Sequence, residues 1–312
     1  MRLEWVSPNA SRAGIGHGYK LAERQMKAGL LAKGWELRDS ARRAVQVCPP
    51  AHFIRKPGKT NILYTMCDST VVPLEARRGL QTADVIVTPS QFCRDIFRLH
   101  TNKPIHVSPW GVDTELFSFH QRRQTSPFRW LWVGAPQMKR GWDVLADVWN
   151  RVFCQLPGTQ LYMKTTGSGR GTVENFDNVI VDNRDLSDRQ VASLYHGAHG
   201  FVSPTAGEGW ALTASEAMST GLPIVVTNYS GVRDFTDPDT AYLIDYDMVN
   251  VQGNGGIVQT AFARIVDLAR AMREVMNGYA QALQVGKRAH EKMQQFSWGR
   301  STKRFSDLLE RL

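Results

Sequence analysis

The residues with the clearest chemical promise are two carboxylates, Glu208 and Glu216, with seven residues between them in the run Pro204-Thr205-Ala206-Gly207-Glu208-Gly209-Trp210-Ala211-Leu212-Thr213-Ala214-Ser215-Glu216. A helical pattern begins near Ala211, so one acid lies just before the helix and the other about a turn and a half into it. The start of a helix offers unpaired amides and the positive end of its dipole, which together make a ready anion site. Gly207 and Gly209 keep the backbone there free of Cβ crowding. Gly221-Leu222-Pro223 stops the helix, and Ile224-Val225-Val226-Thr227 suits an interior parallel strand. Both acids can therefore face one ligand beyond the strand ends. A helix-capping acid followed by a solvated one is the plainer reading, but it leaves the glycines on both sides of Glu208 unexplained.

Cations recur at comparable places. Trp130-Leu131-Trp132-Val133-Gly134 reads as a buried strand, and the loop after it carries Lys139 and Arg140 before Gly141. Lys164 ends the strand pattern of residues 160–163 and precedes the glycine-rich stretch 165–171, a suitable place for a phosphate ligand. No Ser-His-Asp or Cys-His set is evident, and two acids in one loop-helix segment do not flank a bond as the carboxylates of glycoside hydrolases do.

Taken in order, the E-x7-E spacing, the Gly-Glu-Gly start, the Glu-Ala-Met centre (residues 216–218) and the Gly-x-Pro-Ile-Val exit (residues 221–225) resemble the donor-sugar motif of retaining, family-4-like (group 1) glycosyltransferases. The resemblance covers residues 80–312 well and residues 1–80 in outline. It implies a GT-B fold, an α/β architecture of two Rossmann-like domains facing across a cleft. The implied divisions are an acceptor-side domain over residues 1–120, a donor-nucleotide domain over 121–295, and a C-terminal helix over 296–312 that packs back on the first domain. The resemblance also implies a UDP- or GDP-sugar as donor substrate, with no further cofactor and no metal. It makes Glu208 the contact for the donor sugar's hydroxyls and Glu216 the contact for the ribose. Arg140, Lys164 and the amides of Gly209, Trp210, Ala211 and Leu212 are expected around the diphosphate, with Gly16, Lys139, Gly207 and Arg184 as further donor contacts. The strand and loop at residues 179–187 are expected to hold the base. His17 and Asp68 are acceptor-side candidates, with a solvated loop histidine and a helix cap as the alternatives. One departure stands out: the family usually has an arginine directly after the strand's glycine and a lysine before the later one, where this chain has Ala135 and Arg140.

These groups need elements to position them. Residues 2–6 read as a first strand and residues 19–33 as an amphipathic helix, with glycines at 14, 16 and 18 between them. This is the opening of a nucleotide-type α/β unit, although the spacing is not a dinucleotide fingerprint and the acidic residue expected after the next strand is absent. Residues 62–66, 84–88 and 105–107 read as further strands, residues 117–127 as a hinge, and residues 188–196 as a helix. Asp237-Pro238-Asp239 reads as a turn and not as a metal motif.

With 312 residues and 42% hydrophobic content, the chain can support two modest cores. It has no apolar run of membrane-spanning length and no leader pattern, so a cytoplasmic protein is expected, in a host's cytoplasm if the source is a virus. The four cysteines lack C-x-x-C spacing and are expected to be buried free thiols. The net charge is +9, and residues 1–120 contribute 17 Lys and Arg against 10 Asp and Glu. Such a half should attract a polyanion. Duplex DNA bearing hydroxymethylated bases is therefore one expected acceptor, and a cell-envelope lipid or polysaccharide, reached through peripheral membrane contact, is another. A catalytically inert sugar-nucleotide or nucleic-acid binding module is the competing class, with Ala135 in its favour. Nothing in the sequence bears on oligomeric state.

Overall fold

Strands that are apolar on both faces are stable only inside a sheet covered by helices on each side, and the strands of this chain are placed accordingly. The computed structural model describes residues 1–7, 16–165, 176–253 and 256–312. Six strands, β1 (Arg2–Trp5), β2 (Glu36–Leu37), β3 (Arg43–Val47), β4 (Thr60–Tyr64), β5 (Val85–Thr88) and β6 (Ile105–Val107), form a parallel sheet in the order β2-β1-β3-β4-β5-β6. A second parallel sheet contains β7 (Phe128–Val133), β8 (Thr159–Lys164), β9 (Val179–Asp182), β10 (Gly200–Ser203), β11 (Ile224–Thr227) and β12 (Tyr242–Ile244), in the order β12-β11-β10-β7-β8-β9. Counted from its own first strand, this is the 3-2-1-4-5-6 order of the doubly wound fold, and its direction reverses between β7 and β10. Ligands of such sheets bind beyond the carboxyl ends of the strands at that reversal.

The helices are α1 (His17–Ala32), α2 (Leu74–Thr82), α3 (Gln91–Arg98), α4 (Trp142–Val148), α5 (Asp188–His196), α6 (Leu212–Ser219), α7 (Ile265–Asn277), α8 (Tyr279–Met293) and α9 (Trp298–Arg311). Several begin where local chemistry dictates. Ser90 caps α3 by accepting from the Cys93 amide, and Ser187 with Gln190 forms a complete capping box at α5. Ser297 likewise caps α9.

The last helix returns to the first sheet. A Cβ on Gly29 of α1 would lie 2.5 Å from Thr302 Oγ1 of α9, so the two helices touch closely. Trp35 Nε1 donates to Ser306 Oγ at 2.9 Å, and Phe305 packs on Tyr64 of β4. The segment read as a hinge, residues 117–127, is hydrogen-bonded to the second sheet's helices. His120 N–H donates to the Thr220 carbonyl, while the Arg122 guanidinium donates to the carbonyls of Ala198, Thr220, Tyr195 and His120 and to Thr220 Oγ1. Burial draws the Arg122 pKa down to about 10.

An antiparallel hairpin of β13 (Tyr246–Gly253) and β14 (Gly256–Ala263) was not foreseen from the sequence. Its alternation is masked by apolar side chains on both faces, with Met248, Val251, Ile257 and Phe262 all exposed. The thiols of Cys48 and Cys93 are buried, but Cys67 and Cys154 are only half-buried, because both lie near element ends. Among the described residues no helix is long and apolar enough to cross a membrane.

Replacing Arg122 by alanine would leave several inward-facing carbonyls without donors. The expected loss of stability is about 2–3 kcal/mol, read as a lower denaturation midpoint in urea. An unchanged midpoint would mean that these bonds do not hold the linker.

Candidate active site

At the reversal between β7 and β10, two loops meet. The loop after β7 turns through a short 3-10 segment, Met138–Arg140, and reaches Gly141 at φ +68°. Here only glycine fits, since a Cβ would lie 1.9 Å from the Pro204 carbonyl oxygen. The Lys139 carbonyl accepts from Thr205 Oγ1 and from the Ala206 amide, each at 2.9 Å. These bonds lash the cationic loop to the loop that carries Glu208.

Arg140 and Glu208 consequently meet. The guanidinium pairs with the carboxylate, and Glu208 is only 7% exposed. Burial pulls the Arg140 pKa below its ordinary value, opposed by the negative charge of Asp68. Truncating either partner would strand a poorly solvated charge. Lys139 pairs with Asp68 at 2.6 Å, joining a loop of the second sheet to one of the first. Asp68 is therefore not a helix cap: α2 begins at Leu74, after Pro73. With both side chains substantially exposed, this pair contributes about 0–1 kcal/mol.

Gly207 and Gly209 lie against the connection after β4. A Cβ at Gly207 would sit 2.3 Å from the Asp68 carbonyl oxygen, and one at Gly209 would sit 2.6 Å from Met66 Sδ. Their missing side chains make room for the connection after β4. Trp210, expected to offer its amide, is 1% exposed and packs its indole on Phe235 and Phe296. Ala211 is left-handed (φ 65°, ψ 65°) at the start of α6. Next to it, Leu212 Cδ1 lies 3.4 Å from where a Cβ on Gly18 would be, so the N-termini of α1 and α6 face each other. Gly16 flanks α1, and His17 is exposed at its first turn. Gly14 of the preceding loop lies outside the described residues.

Lys164 is not available as a phosphate ligand in this arrangement. It is 6% exposed, and its ammonium donates to the carbonyls of Thr165, Asp182 and Arg184 at 2.7, 3.3 and 2.7 Å. Its three protons are thus spent on tying the ends of β8 and β9 together. The stretch 166–171 that follows it falls outside the described residues. Arg184 forks onto Asp182 at 2.9 and 2.8 Å, which holds the Asp182 carboxyl well below the usual range, and Tyr162 donates to the same carboxylate at 2.6 Å.

Glu216, expected to face a ligand, accepts from Tyr195 Oη of α5 at 2.7 Å. Burial raises its pKa to about 7, the Tyr195 bond working against this and the Asp188 charge adding to it. Sequence reasoning missed Tyr195, whose place in the capped helix α5 gave the only signal. It also missed Ser230, at φ 65°, whose Oγ accepts from the Glu208 amide at 2.8 Å. Among the described residues, no cluster of three His, Cys, Asp or Glu side chains could hold a metal ion. Asp237 of the Asp-Pro-Asp turn pairs with Lys292 instead.

Known proteins share this architecture. Residues 127–252 match the family described as Glycosyl transferases group 1. The fold is GT-B. Sucrose-phosphate synthase from Thermosynechococcus elongatus superposes with a TM-score of 0.73 at 15% identity, covering 99% of this chain and 98% of that one. Anabaena HepE in complex with UDP-glucose gives 0.72 at 12% identity, with 100% of both chains covered. Among curated sequences, a D-inositol 3-phosphate glycosyltransferase of Paenarthrobacter aurescens is 28% identical over 160 residues. That alignment takes in 45% of this chain and 39% of the relative, so the chain spans well under two thirds of its length.

The Glu216 environment has a pH consequence. A folded pKa of about 7 lies above the ordinary glutamate value, so the folded state binds the proton more tightly. The resulting stabilisation is complete below about pH 4 and is lost as pH rises through 7. Urea unfolding of Glu216→Gln between pH 5 and 8 should show the wild type losing stability relative to the variant as pH rises; parallel profiles would contradict the raised pKa.

Proposed function

We propose that this protein is a retaining glycosyltransferase that moves a sugar from a nucleotide-sugar donor to an acceptor hydroxyl. The observation that carries the reading is the Arg140–Glu208 pair at the reversal of the second sheet, beside the N-terminus of α6. As the bond between the sugar and the diphosphate breaks, negative charge builds on the departing phosphate oxygens. A fixed cation and helix-end amides aimed there favour the transition state over the bound donor.

Arg140 supplies that charge, and Lys139 takes the role expected of Lys164, whose protons are committed to carbonyls. In the present arrangement both cations are neutralised by carboxylates, Arg140 by Glu208 and Lys139 by Asp68. A donor diphosphate substitutes for those partners, which frees Glu208 for the sugar hydroxyls and Asp68 for the acceptor side. Glu216 takes the ribose. The acceptor oxygen attacks the anomeric carbon from the face the phosphate leaves, and the departing phosphate oxygen takes the acceptor's proton. No protein nucleophile is needed in this scheme. The donor half corresponds to residues 121–295, and the acceptor half to residues 1–120 with the helix at 296–312.

For the acceptor, the positive first half favours an anion. The name of the curated relative, a D-inositol 3-phosphate glycosyltransferase, supports a phosphorylated polyol or sugar. Hydroxymethylated duplex DNA draws support only from the basic charge, which would bind phosphates without reading sequence.

The test incubates labelled UDP- and GDP-sugars with phosphorylated polyols and sugars, and with duplexes with and without 5-hydroxymethylcytosine. Transfer to the phosphorylated small acceptors is expected, and Glu208→Ala should lower it by about a hundredfold or more. Label confined to the hydroxylated duplex would move the acceptor to DNA. Donor binding with neither transfer nor hydrolysis would favour an inert binding module.

A further inference from the structure

The turn after β11 has no role in the reading above, yet it is built unlike any other turn in the described residues. Ser230 adopts φ 65°, and the only other non-glycine residue with a positive φ there is Ala211. Serine has no intrinsic reason to occupy this region, which glycine enters freely and asparagine tolerates. Its side chain is spent inward. Ser230 is 4% exposed, and its Oγ accepts from the Glu208 amide at 2.8 Å. The next residue completes the hold, since the Gly231 amide donates to the Glu208 carbonyl at 2.9 Å. A Cβ at Gly231 would come within 2.3 Å of the Gly209 carbonyl oxygen and 2.7 Å of that of Glu208. Both polar groups of the Glu208 main chain are thus held by one two-residue turn.

The same segment reaches the first sheet. Asp234, at the end of the short helix Ser230–Asp234, accepts from the Gln91 amide at the start of α3 at 2.8 Å. Glu208 is thereby held between a turn of its own sheet and, one helical turn further, the other half of the protein.

We infer that Ser230 is a positioning residue for Glu208: its hydroxyl is kept in a costly backbone conformation so that it can fix the peptide that aims the Glu208 carboxylate at the donor sugar. The inference rests on the glycosyltransferase reading. Strain retained in the fold and spent on a functional group is the expected signature of such a role. Fixing the peptide matters because an error of about 1 Å in a reacting group can cost on the order of a hundredfold in rate.

Two variants separate this role from simple structural support. Ser230→Gly removes the hydroxyl and relieves the strain, whereas Ser230→Ala removes the hydroxyl and keeps the strain. Both should lower kcat by about ten- to a hundredfold with KM for the acceptor little changed, although Ser230→Gly melts higher than Ser230→Ala. Calorimetry with UDP alone and with UDP-glucose gives a readout apart from turnover. The wild type is expected to bind UDP-glucose more tightly than UDP, and both variants should bind UDP as the wild type does and lose that difference. Activity that follows melting temperature, with Ser230→Gly close to wild type, would overturn the positioning role. A wild type that neither transfers nor hydrolyses any donor, and binds UDP-glucose no better than UDP, would overturn the glycosyltransferase reading and this inference with it. That result lies in the parent protein and so is distinct from failure in the variants.

Discussion

The site depends on one steric constraint: residues 204–209 are crowded on three sides by other backbone. The Pro204 carbonyl abuts Gly141, the Asp68 carbonyl abuts Gly207, and the Glu208 and Gly209 carbonyls abut Gly231. A side chain at any of these glycines would push neighbouring elements away from each other. Close packing of this kind transmits small displacements instead of absorbing them. The loop after β7, the connection after β4 and the turn after β11 therefore locate Glu208 together, and none of them can shift alone.

Within that frame the charges are balanced before any ligand arrives. Arg140 faces Glu208, Lys139 faces Asp68 and Arg184 faces Asp182, while Lys164 is satisfied by carbonyls. Desolvated cations are costly when unpaired, and the largely buried Arg140 and Lys164 both have partners. The two pairs near the reversal of the second sheet differ from Arg184–Asp182 in joining separate loops. Arg184 and Asp182 are two residues apart and form a local unit that keeps the end of β9 in shape.

The halves are joined by more than the cleft. The linker is stapled to the second sheet's helices by Arg122, α9 crosses to pack on α1, and Asp234 caps α3 from the opposite half. Movement between the sheets must work through these contacts, and the last of them sits one helical turn from the residue that holds Glu208.

Much of this was legible in the sequence, because it is written in local patterns. The apolar strands β7, β8 and β11, the helix α5 and the Glu208-to-Pro223 run each follow from periodicity and turn residues within about 20 positions. So did the placing of Glu208 and Arg140 beyond strand ends. Whether a glycine clears space for a ligand or for another chain segment is not local, and the sequence did not show that Gly207 and Gly209 lie against Asp68 and Met66. The direction of the Lys164 side chain is equally non-local, since a strand-end lysine turns toward phosphate or toward carbonyls according to what lies beside it. Ser230 gave no signal at all: its hydroxyl matters only because β11 lies beside β10, which brings residue 230 within hydrogen-bonding reach of residue 208. Pattern along the chain determined which elements form and which residues end them, whereas contact between distant segments decided what each of those residues does.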